Sequence, residues 1–286
     1  MADPGMDGKV ALVTGGTSGI GKATATALAA MGADVIITGR NRERGEKAAE
    51  EIRRDTGGKV DLALADMASQ AEVRNLAGEF RRRYDRLDVL VNNAGLVQST
   101  RTETPDGLES TFAINHLAPF LLTDLLLDLL KQSAPSRVVT VSSEAERWGN
   151  IDFDDLQSKK NYMGFPVYGM TKLANIMFTY ELAERLKGTG VTATCMHPGA
   201  VNTRFGTNNS GPMTTLFRLF KPFMRSPEQG ADTVVWLASS PDVEGISGRY
   251  YGDRKAIEPK KIANDPSARR RLWEESERLT GLGVRA

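Results

Sequence analysis

Tyr168 and Lys172 stand four residues apart in Tyr168-Gly-Met-Thr-Lys172, and Asn175 follows in a run that reads as helix. Positions i and i+4 share one helix face. A phenol titrating near 10 becomes a usable proton donor when an ammonium beside it favours its anion. Far upstream, Val10-Ala-Leu-Val-Thr-Gly15-Gly-Thr-Ser-Gly19-Ile-Gly21 carries an apolar run into a glycine-rich turn. There Gly15 permits the tight bend, Gly19 admits a pyrophosphate to the backbone, and Gly21 lets a helix pack on a sheet. Thr17, Ser18 and Ile20 complete the loop, and the two hydroxyls add donors to the free N–H groups of a helix N-terminus. The order G-x-x-x-G-x-G departs from the more familiar G-x-G-x-x-G, and a strand-to-helix turn without a ligand is the plain alternative. Together the pair and the turn imply hydride transfer, with Tyr168 handling the proton. Neither implies it alone.

The elements that must hold these groups alternate between strand and helix. Apolar runs at 9–14, 34–38, 60–65, 88–95, 137–142 and 191–196 predict buried parallel strands, with a last apolar piece at 246–251. Helical patterns fill 20–31, 41–55, 69–84, 107–132, 166–188 and 227–239. The fold class is therefore α/β: a Rossmann-type, doubly wound parallel sheet with helices on both faces. No repeat, linker or boundary divides residues 1–286, so one domain is expected. Segments 144–165 and 202–226 follow strand C-termini, the edge where such sheets bind ligands, and are expected to wall a substrate pocket.

Composition excludes several classes. With 37 basic and 36 acidic residues the chain has no bias toward nucleic acid. A single cysteine, Cys195, rules out an internal disulfide and fits a reducing compartment. Two histidines, His116 and His197, argue against a His-based metal site, and no metal is expected. The polar start MADPGMDGK has no signal-peptide core, and the apolar stretch Leu117 to Leu130 is broken by Pro119, Thr123, Asp124 and Asp128. It reads as a buried helix, and a cytoplasmic location without an integral membrane segment is the expectation.

The cofactor choice turns on the end of the second strand. Where NAD enzymes carry an acidic residue for the ribose 2′-hydroxyl, this chain has Gly39, followed by Arg40, Asn41 and Arg42. A missing carboxylate beside an arginine suits a 2′-phosphate and points to NADP(H) over NAD(H). A solvated arginine opening a basic helix is the alternative.

With the glycine turn, Asn92-Asn-Ala-Gly95, Ser143 and Tyr168-Gly-Met-Thr-Lys172 in hand, the chain resembles the short-chain dehydrogenase/reductase family from Lys9 to about Gly252. Asn115-His-Leu-Ala-Pro-Phe-Leu-Leu-Thr123, Val141-Ser-Ser-Glu-Ala, Lys172-Leu-Ala-Asn-Ile-Met-Phe-Thr179, His197-Pro-Gly-Ala-Val and Arg271-Leu-Trp-Glu-Glu-Ser-Glu resemble its retinol-dehydrogenase-like branch. The resemblance implies catalytic roles for Asn115, Ser143, Tyr168 and Lys172. Asn115 would perturb its helix and hold a water in the proton path. Ser143 would bond the substrate carbonyl; the choice of Ser143 over Ser142 rests on the resemblance. Lys172 would bind the nicotinamide ribose and depress the Tyr168 pKa. Asp66 and Met67 would contact adenine, Asn93, Ala94 and Gly95 the adenine ribose side, and Pro198, Gly199, Val201 and Thr203 the nicotinamide carboxamide.

The implied activity is NADP(H)-dependent interconversion of a carbonyl and an alcohol on a lipophilic small molecule. Trp148, Phe153, Tyr162, Met163 and Phe165, and the basic-edged apolar run at 213–225, point the same way. That run also suits a membrane surface or a partner contact. An NADP(H)-sensing regulatory or interaction protein without turnover is the alternative; it would be expected to lack Ser143, Tyr168 or Lys172. Family members commonly pair the Asn115 and Tyr168 helices between subunits, so a homodimer is implied, with a monomer also compatible.

Overall fold

In the computed structural model, residues 5–201 and 224–282 are described, and their strands form one sheet. β1 (Val10–Val13), β2 (Asp34–Gly39), β3 (Val60–Leu64), β4 (Val89–Asn92), β5 (Ser136–Val141), β6 (Val191–His197) and β7 (Arg249–Gly252) run parallel. β8 (Lys255–Ala256) returns antiparallel after Asp253 and Arg254, both at positive φ. The spatial order is β3-β2-β1-β4-β5-β6-β7-β8. The winding reverses between β1 and β4, which opens a crevice beyond their C-terminal ends.

The helices are α1 (Gly19–Ala30), α2 (Arg42–Thr56), α3 (Gln70–Arg83), α4 (Ser110–Phe112), α5 (Ala118–Gln132), α6 (Gly164–Arg185), α7 (Pro227–Ser239) and α8 (Pro266–Thr280). Alternate strand residues feed opposite layers. Ala11, Val13, Ile37, Val91 and Val139 pack with Leu28 of α1, Ile52 of α2 and Val234 of α7. Leu12, Leu90 and Val138 pack with Leu76 of α3, Leu121 of α5 and Leu182 of α6. Burial on both faces explains why β1 and β4 read as unbroken apolar runs. Helix starts follow local chemistry. Asn41 caps α2 by accepting from Arg44 N at 2.8 Å, and Ser226 and Gln229 form a reciprocal capping box at α7 with Pro227 in its first turn.

Two differences from the sequence reading matter for the site. The helix expected over 107–132 is interrupted: α4 passes through a π-helical turn, Ala113–Leu117, before α5 begins. The whole piece, Ser110–Gln132, is long and apolar enough to span a membrane, yet 78% of its most apolar window is buried inside this fold. The second difference is α8, absent from the sequence reading. Asp265 caps it by accepting from Ser267 N at 2.8 Å, Pro266 occupies its first turn, and Gly281 closes it at φ +66°. Leu272 of α8 joins Leu173, Ile176 and Tyr250 in a third apolar cluster. α8 thereby covers part of the α5–α6 face expected to pair subunits.

Candidate active site

Tyr168 and Lys172 lie on α6, which accepts an unusually close neighbour. A Cβ on Gly149 would fall 2.2 Å from the Gly169 carbonyl carbon, and one on Gly169 would fall 2.4 Å from Ala145 O. Only glycine at both positions lets the 3-10 turn Glu144–Trp148 dock there. The turn begins at Ser143, whose Oγ accepts from Ala145 N at 3.2 Å and which is hydrogen-bonded to Tyr168. Ser142 faces elsewhere: its buried hydroxyl donates to Lys172 O at 2.8 Å. Of the two serines, Ser143 is therefore the one at the phenol.

Lys172 is 3% exposed; its Nζ donates to Val141 O at 3.0 Å and stands 5.6 Å from the Tyr168 ring centroid. Burial pushes the phenol up to about 12, with the Ser143 bond pulling it back, and burial brings the Lys172 ammonium down to about 8. The expected depression of Tyr168 by Lys172 is thus outweighed in the chain itself, where desolvation of the phenolate dominates. The resting phenol keeps its proton.

Asn115 sits in the π-helical turn and is fully buried. Its Oδ1 accepts from Leu96 N at 2.8 Å, while its Nδ2 donates to Leu96 O at 2.8 Å and to Thr171 Oγ1 at 3.0 Å. Thr171 Oγ1 in turn donates to Tyr168 O at 2.7 Å. Both amide hydrogens are committed to protein, so the side chain is a brace between the loop after β4 and the Tyr168 helix. Gly95 completes this corner, since a Cβ there would stand 3.2 Å from Asn115 Oδ1 and 3.4 Å from Lys172 Nζ.

The glycine turn fits a dinucleotide. Gly15 and Gly19 take φ of +67° and +56°, and a Cβ on Gly21 would fall 2.4 Å from Gly15 O and from Asn93 Nδ2. No acidic residue lies in the first turn of α1 to repel a phosphate, and the Ser18 side chain makes no cap bond there. Asn93 Nδ2 donates to Thr14 O at 2.8 Å, and Thr14 Oγ1 accepts from Asn93 N and Ala94 N at 2.9 and 3.0 Å. Asn93 thus knits β1 to β4, with its amide spent on backbone.

At the end of β2, a Cβ on Gly39 would meet Thr17 Cγ2 at 2.5 Å, so the missing carboxylate is coupled to the threonine of the turn. Arg40 is exposed, with Nη1 3.9 Å from Asp66 Oδ2, while Asp66 Oδ1 accepts from Ala68 N at 2.9 Å. Asn41 caps α2 with its side-chain oxygen, and the Met67 side chain packs into the core beside Leu76. On the nicotinamide side, Pro198 and Gly199 follow β6, and His197 Nδ1 accepts from Gly199 N at 3.2 Å. Val201 approaches Ile20 across Gly230, whose Cβ would lie 2.7 and 3.3 Å from the two side chains. Thr203 and the run at 213–223 lie outside the described residues.

The described mouth of the site is apolar. Trp148 and Met163 are 62% and 59% exposed, and Phe165 lies between the Trp148 and Tyr168 rings at centroid distances of 5.6 and 6.5 Å. Thr171 and the Gly149–Gly169 contact were missed in sequence. The small residues themselves stand in the sequence, but their pairing does not. No cluster of three or more metal-ligating side chains exists among the described residues.

The family model for short chain dehydrogenases matches residues 9–213. The chain belongs to the short-chain dehydrogenase/reductase family. Human Retinol dehydrogenase 14 is 46% identical over 298 residues, covering 98% of this chain and 89% of that protein. Human Retinol dehydrogenase 13 is 41% identical over 282 residues, covering 96% and 85% respectively. Among solved structures, a protein from Mycobacterium paratuberculosis superposes with a TM-score of 0.81 at 32% identity, over 98% of this chain and 96% of that one. A short chain dehydrogenase from Burkholderia cenocepacia in complex with NADP gives 0.68 at 28% identity, over 86% and 96%. This short-chain dehydrogenase/reductase is retinol-dehydrogenase-like in sequence and uses a nicotinamide cofactor for carbonyl–alcohol oxidoreduction.

Proposed function

We propose that this protein interconverts lipophilic aldehydes or ketones and their alcohols with NADP(H), and that Tyr168 is its general acid and base. The observation carrying the reading is the convergence of three groups: Ser143 hydrogen-bonded to Tyr168, and buried Lys172 5.6 Å from the same ring. The turn 15–21 would hold the pyrophosphate of a nicotinamide dinucleotide and the Pro198–Val201 segment its carboxamide end, and the cofactor, when bound, would supply or accept the hydride. As negative charge builds on the carbonyl oxygen, Ser143 and Tyr168 donate to it, and Tyr168 then releases its proton. The phenol is protonated at rest, which suits it to the reductive direction. Lys172 favours the phenolate left behind and offers its ammonium to the ribose hydroxyls. Asn115 keeps the Tyr168 helix aligned with the loop carrying Gly95.

Support for NADP(H) comes from Gly39, closed to a side chain by Thr17, and from exposed Arg40, which can turn to a 2′-phosphate. An apolar substrate is supported by the Trp148, Met163 and Phe165 rim. Tyr168→Phe tests the mechanism: turnover of a panel of aldehydes, followed by NADPH absorbance, should vanish while NADPH affinity stays within about threefold. Reduction at the wild-type rate would sink it.

A further inference from the structure

We propose that His116 and Ser276 form a buried clamp through which the C-terminal helix α8 holds the π-helical turn, and with it Asn115, in register with the Tyr168 helix. The inference rests on reading Asn115, Tyr168 and Lys172 as the reacting site. Within the π-helical turn, consecutive side chains point in different directions around the axis. Asn115 faces the Leu96 loop and Thr171, whereas His116 faces α6 and α8: its Nδ1 lies 3.3 Å from Asn175 Oδ1 and its Nε2 2.9 Å from Ser276 Oγ. Asn175 is three residues beyond Lys172, nearly one helical turn along the same helix. Two side-chain bonds from adjacent residues therefore tie the turn to α6, and a third ties it to α8.

The hydrogen arrangement follows from the tautomer that suits Asn175. Asn175 Oδ1 can only accept, so a neutral ring carries its proton on Nδ1 and leaves Nε2 as an acceptor. The Ser276 hydroxyl donates to Leu272 O at 2.7 Å, and in this tautomer its one hydrogen is shared with Nε2 at 2.9 Å. Removing that hydroxyl leaves a buried ring nitrogen without a donor. The ring stacks on Phe112 at 5.2 Å, and His116, Phe120, Phe178, Arg269, Leu272, Trp273 and Ser276 leave no space for a water between them. α8 is itself anchored away from the site. Gln70 Nε2 and Arg74 Nη2 donate to Leu279 O and Thr280 O at 2.9 and 2.5 Å, and the Arg185 guanidinium lies 4.2 Å over the Trp273 ring. A purely space-filling role would be met by an apolar side chain with no such directional bonds. His116 and Ser276 are positioning residues; neither touches the reacting atoms.

Ser276→Ala, Ser276→Thr, His116→Phe and the Ser276→Ala/His116→Phe pair test the clamp in the full chain. In Ser276→Ala, kcat should fall about tenfold or more while KM for NADPH and for the aldehyde stay within about twofold. Ser276→Thr, which keeps the hydroxyl, should recover most of the rate. His116→Phe should lose as much as Ser276→Ala, and the double variant should lose no more than either alone. Hydrogen–deuterium exchange should quicken at residues 113–117 and at Leu96 in Ser276→Ala. Wild-type kcat in Ser276→Ala at a temperature where it is folded, a loss confined to KM, or additive losses in the double variant would each overturn the clamp. A wild-type protein inert toward every carbonyl would overturn the reading of the site instead. The exchange rates at 113–117 then decide the clamp: unchanged exchange refutes it, and faster exchange upholds it.

Discussion

Replacing Lys172 by Met should abolish turnover and yet stabilise the fold at neutral pH. Burial lowers this ammonium from its ordinary 10.5 to about 8. At about 1.4 kcal/mol for each pH unit, keeping it charged costs the folded state about 3 kcal/mol below pH 8. Met matches the length of the stem without the charge, but it leaves Val141 O without its donor, a loss of about 2 kcal/mol. The net expectation is a gain of about 1 kcal/mol at pH 7. The sign then reverses. Between pH 8 and 10.5 the unfolded lysine still holds a proton that the folded one has released, so wild-type stability rises with pH across that window. By pH 10.5 the Met variant should be the less stable by about 2 kcal/mol. Urea unfolding followed by circular dichroism at pH 7, 9 and 10.5 measures the difference, and titration of other groups cancels between the two proteins. A stability difference that stays constant across this range would refute the desolvation argument.

Other outcomes follow from named contacts. Gly39→Asp alone should weaken NADPH binding without granting NADH use, because its Cβ meets Thr17 Cγ2; adding Thr17→Ser should allow NADH turnover, and equal NADH kinetics in the single and double variants would contradict this. Arg40→Asp should shift the NADPH-to-NADH ratio of kcat/KM toward NADH, and an unchanged ratio would discount the arginine. Trp148→Ala should raise KM for long-chain aldehydes severalfold and leave that for butanal unchanged; equal effects on both would remove Trp148 from the substrate path. Reduction rates should decline above pH about 8 as Lys172 loses its proton, and a profile flat to pH 10 would show that its charge is dispensable.

The sheet was legible because its central strands are buried on both faces, leaving short apolar runs such as Val10–Val13 that no helix period explains. The site was legible where chemistry demands a residue type at a spacing, as at Tyr168 and Lys172. It was hidden where the requirement is a contact between distant segments. Nothing local tells that Gly149 must meet Gly169, that Thr17 closes the space above Gly39, or that the Asn41 oxygen is consumed in capping α2. Desolvation was also out of reach, since the Tyr168 pKa depends on what covers the ring more than on Lys172 four residues away. α8 was missed although Asp265-Pro266 and Gly281 mark its ends, because its exposed side is rich in arginine and glutamate and its apolar positions are few.

The docking of α8 sets an order of events during synthesis. His116 meets Ser276 across 160 residues of chain, and the bond joins the π-helical turn to the later part of α8. A growing polypeptide can form β1 to β6 and bring Tyr168 beside Ser143 long before residue 276 has been made. The brace behind Asn115 closes only afterwards. Competence then arrives with α8, so a product cut short before Pro266 would carry every reacting group and still lack the support that aligns them.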